Sequence, residues 1–349
     1  MKKLLVLLAA VAFVVAFTVP AMSADWSFYG SSRMTTFFDS DSEELSASGL
    51  YDDDDLTWDL QGNSRLGATV KAGAIAGGFE YGSGPNLRKL YGTWNFGSGQ
   101  LLVGQTYTPV NDFSSNRVWG GDEDLLNSGG IYAGRDPMIQ LSLGTFKIAL
   151  IKPNAPGGVV AAETDTSLPR IEASYAFKAG SFSLTPMLGY STYDEVNATN
   201  KEYGIDSYIA ALVLSVNLGP AYIKGNVYMG QNLRQYGFGY LGWVDDSAAY
   251  DIANDKIIDN DNMGYLAVVG FKASDALTIE FGYGYAEGER DVSGSKADEV
   301  CSYYANATVN IAKGFFVVPE IGKIDQKEDA AGNDQGDTTY FGAKWQINF

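Results

Sequence analysis

The chain ends in TTYFGAKWQINF, residues 338–349, and this stretch decides the fold. Apolar side chains occupy every second position near its end, at Phe341, Trp345, Ile347 and Phe349. Polar side chains such as Lys344 stand between them. Successive side chains of a β-strand point to opposite faces, so this repeat of two predicts a strand with one apolar and one polar face.

The same alternation recurs upstream, and the connections between the alternating segments have a rhythm of their own. Tight turns containing Gly or Asp, such as KAGSF and NLGPA, alternate with long, polar and acidic stretches. An antiparallel up-and-down barrel has short turns at one end and long loops at the other. The pattern therefore predicts an all-β, transmembrane β-barrel.

The number of strands follows from the segments between these connections, each long enough for the roughly 9–11 residues of a tilted membrane strand. The predicted strands are 26–38, 57–72, 74–83, 88–97, 99–107, 131–143, 145–152, 168–178, 181–193, 203–218, 220–231, 262–273, 275–287, 301–313, 315–325 and 338–349. About sixteen strands are expected. Fourteen or eighteen remain open if one was split or merged near 131–143 or within 232–261.

The N-terminus has the three parts of a secretory signal peptide. Lys2 and Lys3 precede an apolar run, residues 4–19, and small residues follow it. Cleavage is expected after Ser23 or Ala24. We therefore predict a signal peptide, 1–23, and a single barrel domain, 24–349.

Composition narrows the function classes. The chain has 42 acidic and 24 basic residues, which argues against nucleic acid as a partner. Histidine is absent, which excludes Ser-His-Asp hydrolysis and His-ligated zinc, so we predict no enzyme and no cofactor. The acidic stretches 51–55 and 251–262 lack a fixed ligand spacing, so no metal site is assigned, and weak binding of divalent ions there stays open.

The longest loop in the first half is TPVNDFSSNRVWGGDEDLLNSGG, residues 108–130, which follows the fifth predicted strand. With the pair Gly120–Gly121 beside acidic residues and the terminal Phe349, the chain resembles the general porins of Gram-negative outer membranes. The resemblance implies a sixteen-stranded, trimeric barrel in the outer membrane, with its third external loop folded inward to narrow the pore. Phe349, with Trp345, is similar to the signal that the barrel-assembly machinery recognises.

The resemblance also implies a constriction with opposed charges. Its acidic side would be Asp112, Asp122, Glu123 and Asp124 of the long loop. Its basic side would be Arg33, Arg65 and Lys89, which fall on the polar parity of strands one, two and four. Opposed charges across a narrow opening set a transverse field that orders water and favours polar solutes. The alternative is that the acidic residues only solvate an external loop.

The expected function is therefore a water-filled channel for passive diffusion of small hydrophilic solutes and ions. The acidic excess predicts a mild preference for cations, and lipopolysaccharide is an expected neighbour of the loops. Two alternatives remain: a solute-specific porin, or a non-conducting barrel that serves as an adhesin or envelope anchor.

Overall fold

The computed structural model describes residues 24–47, 54–84, 86–160, 163–239 and 243–349. The predicted signal peptide, 1–23, lies outside these ranges, so the cleavage at Ser23 or Ala24 stays a prediction. Within the described ranges, no helix combines the length and the apolar character needed to cross a membrane.

Strands dominate the described chain. They are β1 (Asp25–Asp41), β2 (Asp54–Leu60), β3 (Arg65–Ala72), β4 (Ile75–Gly82), β5 (Leu87–Asn95), β6 (Gln100–Tyr107), β7 (Arg135–Leu143), β8 (Phe146–Ile151), β9 (Glu163–Asp165), β10 (Arg170–Tyr175), β11 (Phe177–Ala179), β12 (Phe182–Val196), β13 (Glu202–Leu218), β14 (Ala221–Gln231), β15 (Ala249–Asp251), β16 (Lys256–Ile258), β17 (Asn260–Lys272), β18 (Leu277–Arg290), β19 (Asp298–Ala312), β20 (Phe315–Gln326) and β21 (Asp337–Asn348). Three short helices are α1 (Glu43–Ala47), α2 (Trp119–Asp122) and α3 (Leu233–Tyr236).

These strands form one closed antiparallel barrel. Each barrel strand pairs with the next, and β21 pairs with β1, where Thr36 lies opposite Ala343. The second barrel strand consists of β2 and β3, and the eighth of β9, β10 and β11, while β15 and β16 form a separate hairpin. The described strands therefore make a barrel of sixteen, which confirms the predicted fold class.

Three predicted strands need correction, and one of them, expected over 168–178, is divided at Ala176 into β10 and β11. Residues 61–64 interrupt the strand expected over 57–72, because Ser64 N–H donates to the Gln61 carbonyl (2.9 Å) and forms a turn. The strand expected from residue 131 begins at Arg135, since residues 131–134 still belong to the preceding loop.

The two faces of the wall differ as the alternation predicted. On β21, Phe341, Trp345 and Ile347 are 56%, 44% and 52% exposed on the outer surface, whereas Tyr340 and Lys344 are buried inside. Hydrocarbon offers backbone groups no hydrogen bonds, so a closed barrel with apolar side chains outward satisfies both the sheet and the lipid. The outer face is therefore the membrane-facing one.

The many glycines of the chain are explained in part by inward tyrosines. The rings of Tyr304 and Tyr340 lie across Gly282 and Gly322 of the neighbouring strand, where an added Cβ would stand 2.3 Å from each tyrosine. A glycine covered by a cross-strand aromatic ring is a common device in barrels. Tyr and Gly together therefore pack the inner wall.

Candidate functional site

The third external loop, residues 108–134 (loop 3 below), folds back into the barrel. Wall carboxylates hold its backbone: Val110 N–H donates to Glu172 Oε2 (2.8 Å), and Asn116 N–H donates to Glu280 Oε1 (2.6 Å). Glu320 alone accepts two loop N–H groups, one of them from Val118 (2.8 Å). Hydrogen bonds to a charged acceptor are the strong ones, so loop 3 is fastened to three strands of the wall, β10, β18 and β20.

Arg117 organises the centre of loop 3. Its guanidinium lies beside the stacked rings of Trp119 (5.0 Å) and Tyr340 (5.4 Å), and its Nε donates to the Tyr340 hydroxyl (3.0 Å). Its Nη1 donates to the Asp124 carbonyl and the Asn127 side chain. Arg117 was not among the predicted site residues, because its contact with Tyr340, 223 residues further along the chain, forms only in the tertiary structure.

Asp122 at the tip of loop 3 lies against the wall. Arg33 Nη1 is 2.5 Å from Asp122 Oδ2, and Lys344 Nζ is 2.8 Å from Oδ1. Asn63, in the interruption between β2 and β3, donates to the same carboxylate (3.0 Å). The predicted residues Asp122 and Arg33 are thus brought together in direct contact, rather than facing each other across an open gap.

The other two predicted basic residues meet a carboxylate that the sequence did not single out. Glu80 on β4 lies 3.8 Å from Arg65, 3.4 Å from Lys89 and 2.8 Å from Arg88. A β-bulge, in which Glu80 faces Lys89 while Tyr81 faces Leu87, leaves Arg88 as the extra residue. Bulges re-aim side chains, and here two consecutive cations reach the inner face. The alternation of side chains along a regular strand would have placed Arg88 on the outer face, since its neighbour Lys89 faces inward.

The remaining acidic predictions have different outcomes. Asp112 accepts hydrogen bonds from Ser114 (2.6 Å) and from Asn226 on β14 (3.3 Å), which fastens loop 3 to the wall instead of facing the opening. Asp124 is buried, and its Oδ1 accepts the Leu125 N–H (2.7 Å). Of the predicted acids, Asp122, Glu123 and Asp124 line the lumen cavity described next.

Two cavities of the lumen lie next to the contact between Arg33 and Asp122. Cavity A, of about 500 Å³, lies between loop 3 and the wall, and cavity B, of about 520 Å³, lies toward the chain termini. Arg33 and Arg65 line both, so the passage between them runs past these two residues. Cavity A is lined by six basic residues, Arg33, Arg65, Arg88, Arg117, Arg135 and Lys344, and three acidic ones, Asp122, Glu123 and Asp124.

A second loop also enters the barrel. Residues 232–239 and 243–259 (loop 6 below) belong to the stretch 232–261, which the sequence predicts as one of the long connections between strands; in the structure, Leu233 and Tyr236 of this loop are fully buried. The Tyr236 hydroxyl donates to Glu172 Oε1 (2.8 Å), and buried Arg170 donates to the Tyr236 carbonyl (3.0 Å). Glu172 therefore fastens both loop 3 and loop 6. The outer half of the lumen is narrowed by two loops.

No known family profile and no curated protein sequence matches the chain. Solved structures do match. The outer membrane channel DcaP of Acinetobacter baumannii is 17% identical, with a TM-score of 0.72 over 93% of this chain and 97% of that one. An anion-selective porin from Comamonas acidovorans is 14% identical (TM-score 0.61; 94% and 100% covered), and the trimer form of OmpT from Vibrio cholerae is 15% identical (TM-score 0.57; 93% and 99% covered).

The chain has the sixteen-stranded fold of the Gram-negative outer-membrane porins. The predicted resemblance is confirmed at the level of the fold, and the outer membrane is the location that the names of these neighbours give. At such low identity the likeness does not extend to substrates.

Proposed function

We propose that this chain is an outer-membrane porin through which small hydrophilic solutes and ions diffuse passively. The observation that carries the proposal is a pair of cavities that share Arg33 and Arg65: cavity A is lined by the inward-folded loop 3, and cavity B by the wall toward the chain termini. A water-filled route with charged walls, closed to lipid by an apolar outer surface, suits polar solutes.

The constriction is proposed to consist of Asp122 and Glu123 on loop 3 and of Arg33, Arg65 and Lys89 on the wall, together with Arg88. Because Asp122 holds Arg33 and Lys344, and Glu80 holds Arg65, Arg88 and Lys89, these charges are fixed in place by one another. Fixed charges at a narrow point act on every solute that passes.

The sign of the ion preference has two opposing indications. The acidic excess of the whole chain predicted a mild preference for cations. The walls of cavity A, however, carry six basic and three acidic residues. Since the charges nearest the narrowest point weigh most on permeation, we infer that the constriction favours anions.

The test is a reversal potential in planar bilayers with a potassium chloride gradient across the membrane. Chloride passing more readily than potassium supports anion preference, and the reverse would restore the prediction made from the total charge. An absence of channel steps would refute the porin proposal. That outcome would favour a non-conducting barrel. The observation that supports this alternative is that loops 3 and 6 fill part of the outer lumen.

Assembly belongs to the same proposal. We infer a signal peptide removed at Ser23 or Ala24, a homotrimer, recognition of Phe349 and Trp345 by the barrel-assembly machinery, and lipopolysaccharide around the outer loops. The trimer form of the Vibrio cholerae neighbour supports the oligomer. Exposure of the Phe349 side chain (72%) at the open end of β21 supports its accessibility as a signal. Size-exclusion chromatography with light scattering in detergent tests the trimer.

A further inference from the structure

Three aromatic rings form one wall of cavity A. Tyr107 ends β6, and Phe113 and Tyr132 belong to the two limbs of loop 3. The ring centroids of Tyr107 and Phe113 are 5.1 Å apart, and those of Phe113 and Tyr132 are 6.1 Å apart, both edge to face. Phe113 is 47% exposed although it lies inside the barrel. An apolar ring is thus presented to a polar cavity.

A cation lies beside these rings. The Arg135 guanidinium is 5.3 Å from the ring centre of Tyr107 and 6.0 Å from that of Tyr132, and its Nη1 is 3.4 Å from the Tyr107 hydroxyl. The rings therefore hold the guanidinium in place from one side. A planar guanidinium held in this way keeps its fork of donors for a carboxylate.

The charge of Arg135 is not neutralised by the wall. Arg33 and Lys344 contact Asp122, and Arg65 and Arg88 contact Glu80. Among the ion pairs of the described residues, none involves Arg135. Arg117 also lacks an ion pair, but it is fully buried beside Trp119 and Tyr340, whereas Arg135 is only half-buried.

We propose that Phe113 and Arg135, supported by Tyr107 and Tyr132, form a binding site for small aromatic carboxylates. The flat ring of such a solute would pack on Phe113, and its carboxylate would accept hydrogen bonds from Arg135. This inference rests on the proposed porin function and names the solute class that the channel selects. Neutral aromatic solutes lack the charge, and aliphatic carboxylates lack the ring, so each would use only half of the site.

The test compares three solutes on the reconstituted full-length mature protein: benzoate, cyclohexanecarboxylate and benzamide. Each is titrated against the chloride current, and the concentration that halves the current gives an apparent Kd. Benzoate is expected to bind about 3- to 10-fold tighter than cyclohexanecarboxylate, which has the same charge without the π-face. It is expected to bind roughly 10-fold tighter than benzamide, which has the ring without the charge.

Two variants locate the site. Phe113→Leu keeps an apolar side chain and should remove the advantage of benzoate over cyclohexanecarboxylate. Arg135→Gln should weaken both carboxylates by roughly 10-fold and leave benzamide unchanged. Lys224→Gln is the matched control for charge, because Lys224 is a cation on β14 that lies over Tyr222 (5.0 Å) and does not line cavity A. Phe96→Leu, at a turn, is the control for the ring.

The outcomes separate this inference from the porin proposal. Chloride currents with equal affinity for the three solutes would overturn the site and leave the channel standing. Benzoate selectivity that survives both Phe113→Leu and Arg135→Gln would also overturn it, since the site would then lie elsewhere. If no current is seen, calorimetric titration of benzoate into the detergent-solubilised protein still decides the matter: binding lost in Arg135→Gln supports the site, and no binding refutes it.

Discussion

The replacement Glu320→Gln tests whether wall carboxylates hold loop 3 in the lumen. Glu320 Oε2 accepts the Val118 N–H (2.8 Å) and the Asn306 amide (2.9 Å), and Oε1 accepts the Trp119 N–H (3.0 Å). A glutamine keeps one acceptor and turns an NH2 group toward the other donor. One charge-assisted bond is lost and two become neutral, which costs about 2–4 kcal/mol.

That loss corresponds to a roughly 30- to 700-fold shift toward the detached state of this part of loop 3. The contacts at Asn116 and Asp122 remain, so the loop should fluctuate more often rather than leave the lumen. Single-channel recordings should therefore show more open-channel noise and more frequent brief closures. The matched control is Glu289→Gln, which removes the same charge at an exposed site near the outer end of β18.

Folding of both variants is checked by their heat-dependent mobility in gel electrophoresis. If folded Glu320→Gln gives the same mean conductance and the same noise spectrum as Glu289→Gln, the wall carboxylate does not restrain loop 3. The assignment of loop 3 as the constricting element would then lose its main support.

Three further changes have defined expectations. Asp122→Asn removes an acid that contacts Arg33 and Lys344, so the ratio of chloride to potassium permeability should rise in reversal-potential measurements; a fall would contradict the inferred anion preference. Burial raises the pKa of Asp246 in loop 6 to about 6. The carboxyl therefore binds its proton more tightly when loop 6 is folded than when it is unfolded, so the folded loop should lose stability as the pH rises from about 4 to 6. Protease cleavage of loop 6 should then be faster at pH 7 than at pH 4.5, and Asp246→Asn should reduce this difference in rate. The same difference in cleavage rate in the variant and the unchanged protein would refute the role of this carboxyl. Deletion of Phe349 removes two backbone hydrogen bonds with Gly30, so the protein should still refold in detergent. Its assembly in cells, measured as the heat-modifiable fraction, should fall. Unchanged assembly would exclude a role of Phe349 as an assembly signal.

Much of the barrel was predictable because its pattern is local. Alternation on β21 separates Trp345 from Lys344 whatever the partner strand is, and it correctly placed one outside and the other inside. The alternation of tight turns and long loops likewise predicted about sixteen strands, the number that the described strands form. Length and turn chemistry are properties of neighbouring residues, so no long-range information was needed.

The candidate site was predicted only in part. The position of loop 3 after the fifth barrel strand indicated where to look, and Asp122 does meet Arg33 there. Arg88 was missed because a bulge reverses parity at one residue, and nothing in the sequence around it marks a bulge. Asp112 was placed in the opening because the resemblance to general porins puts the carboxylates of this loop there, whereas its contacts with Ser114 and Asn226 turn it to the wall.

The sequence by itself determined the class of this protein: a two-residue period and alternating short and long connections specify a barrel whose apolar face meets lipid. Only the tertiary structure decided how the lumen is filled. Glu172 holds Val110 of loop 3 and Tyr236 of loop 6, although 62 and 64 residues separate it from them along the chain. Such contacts form only after the barrel has closed, because closure brings distant strands to one interior. The charges that a solute meets are therefore set by the closed barrel, whereas the faces of each strand are set by its own residues.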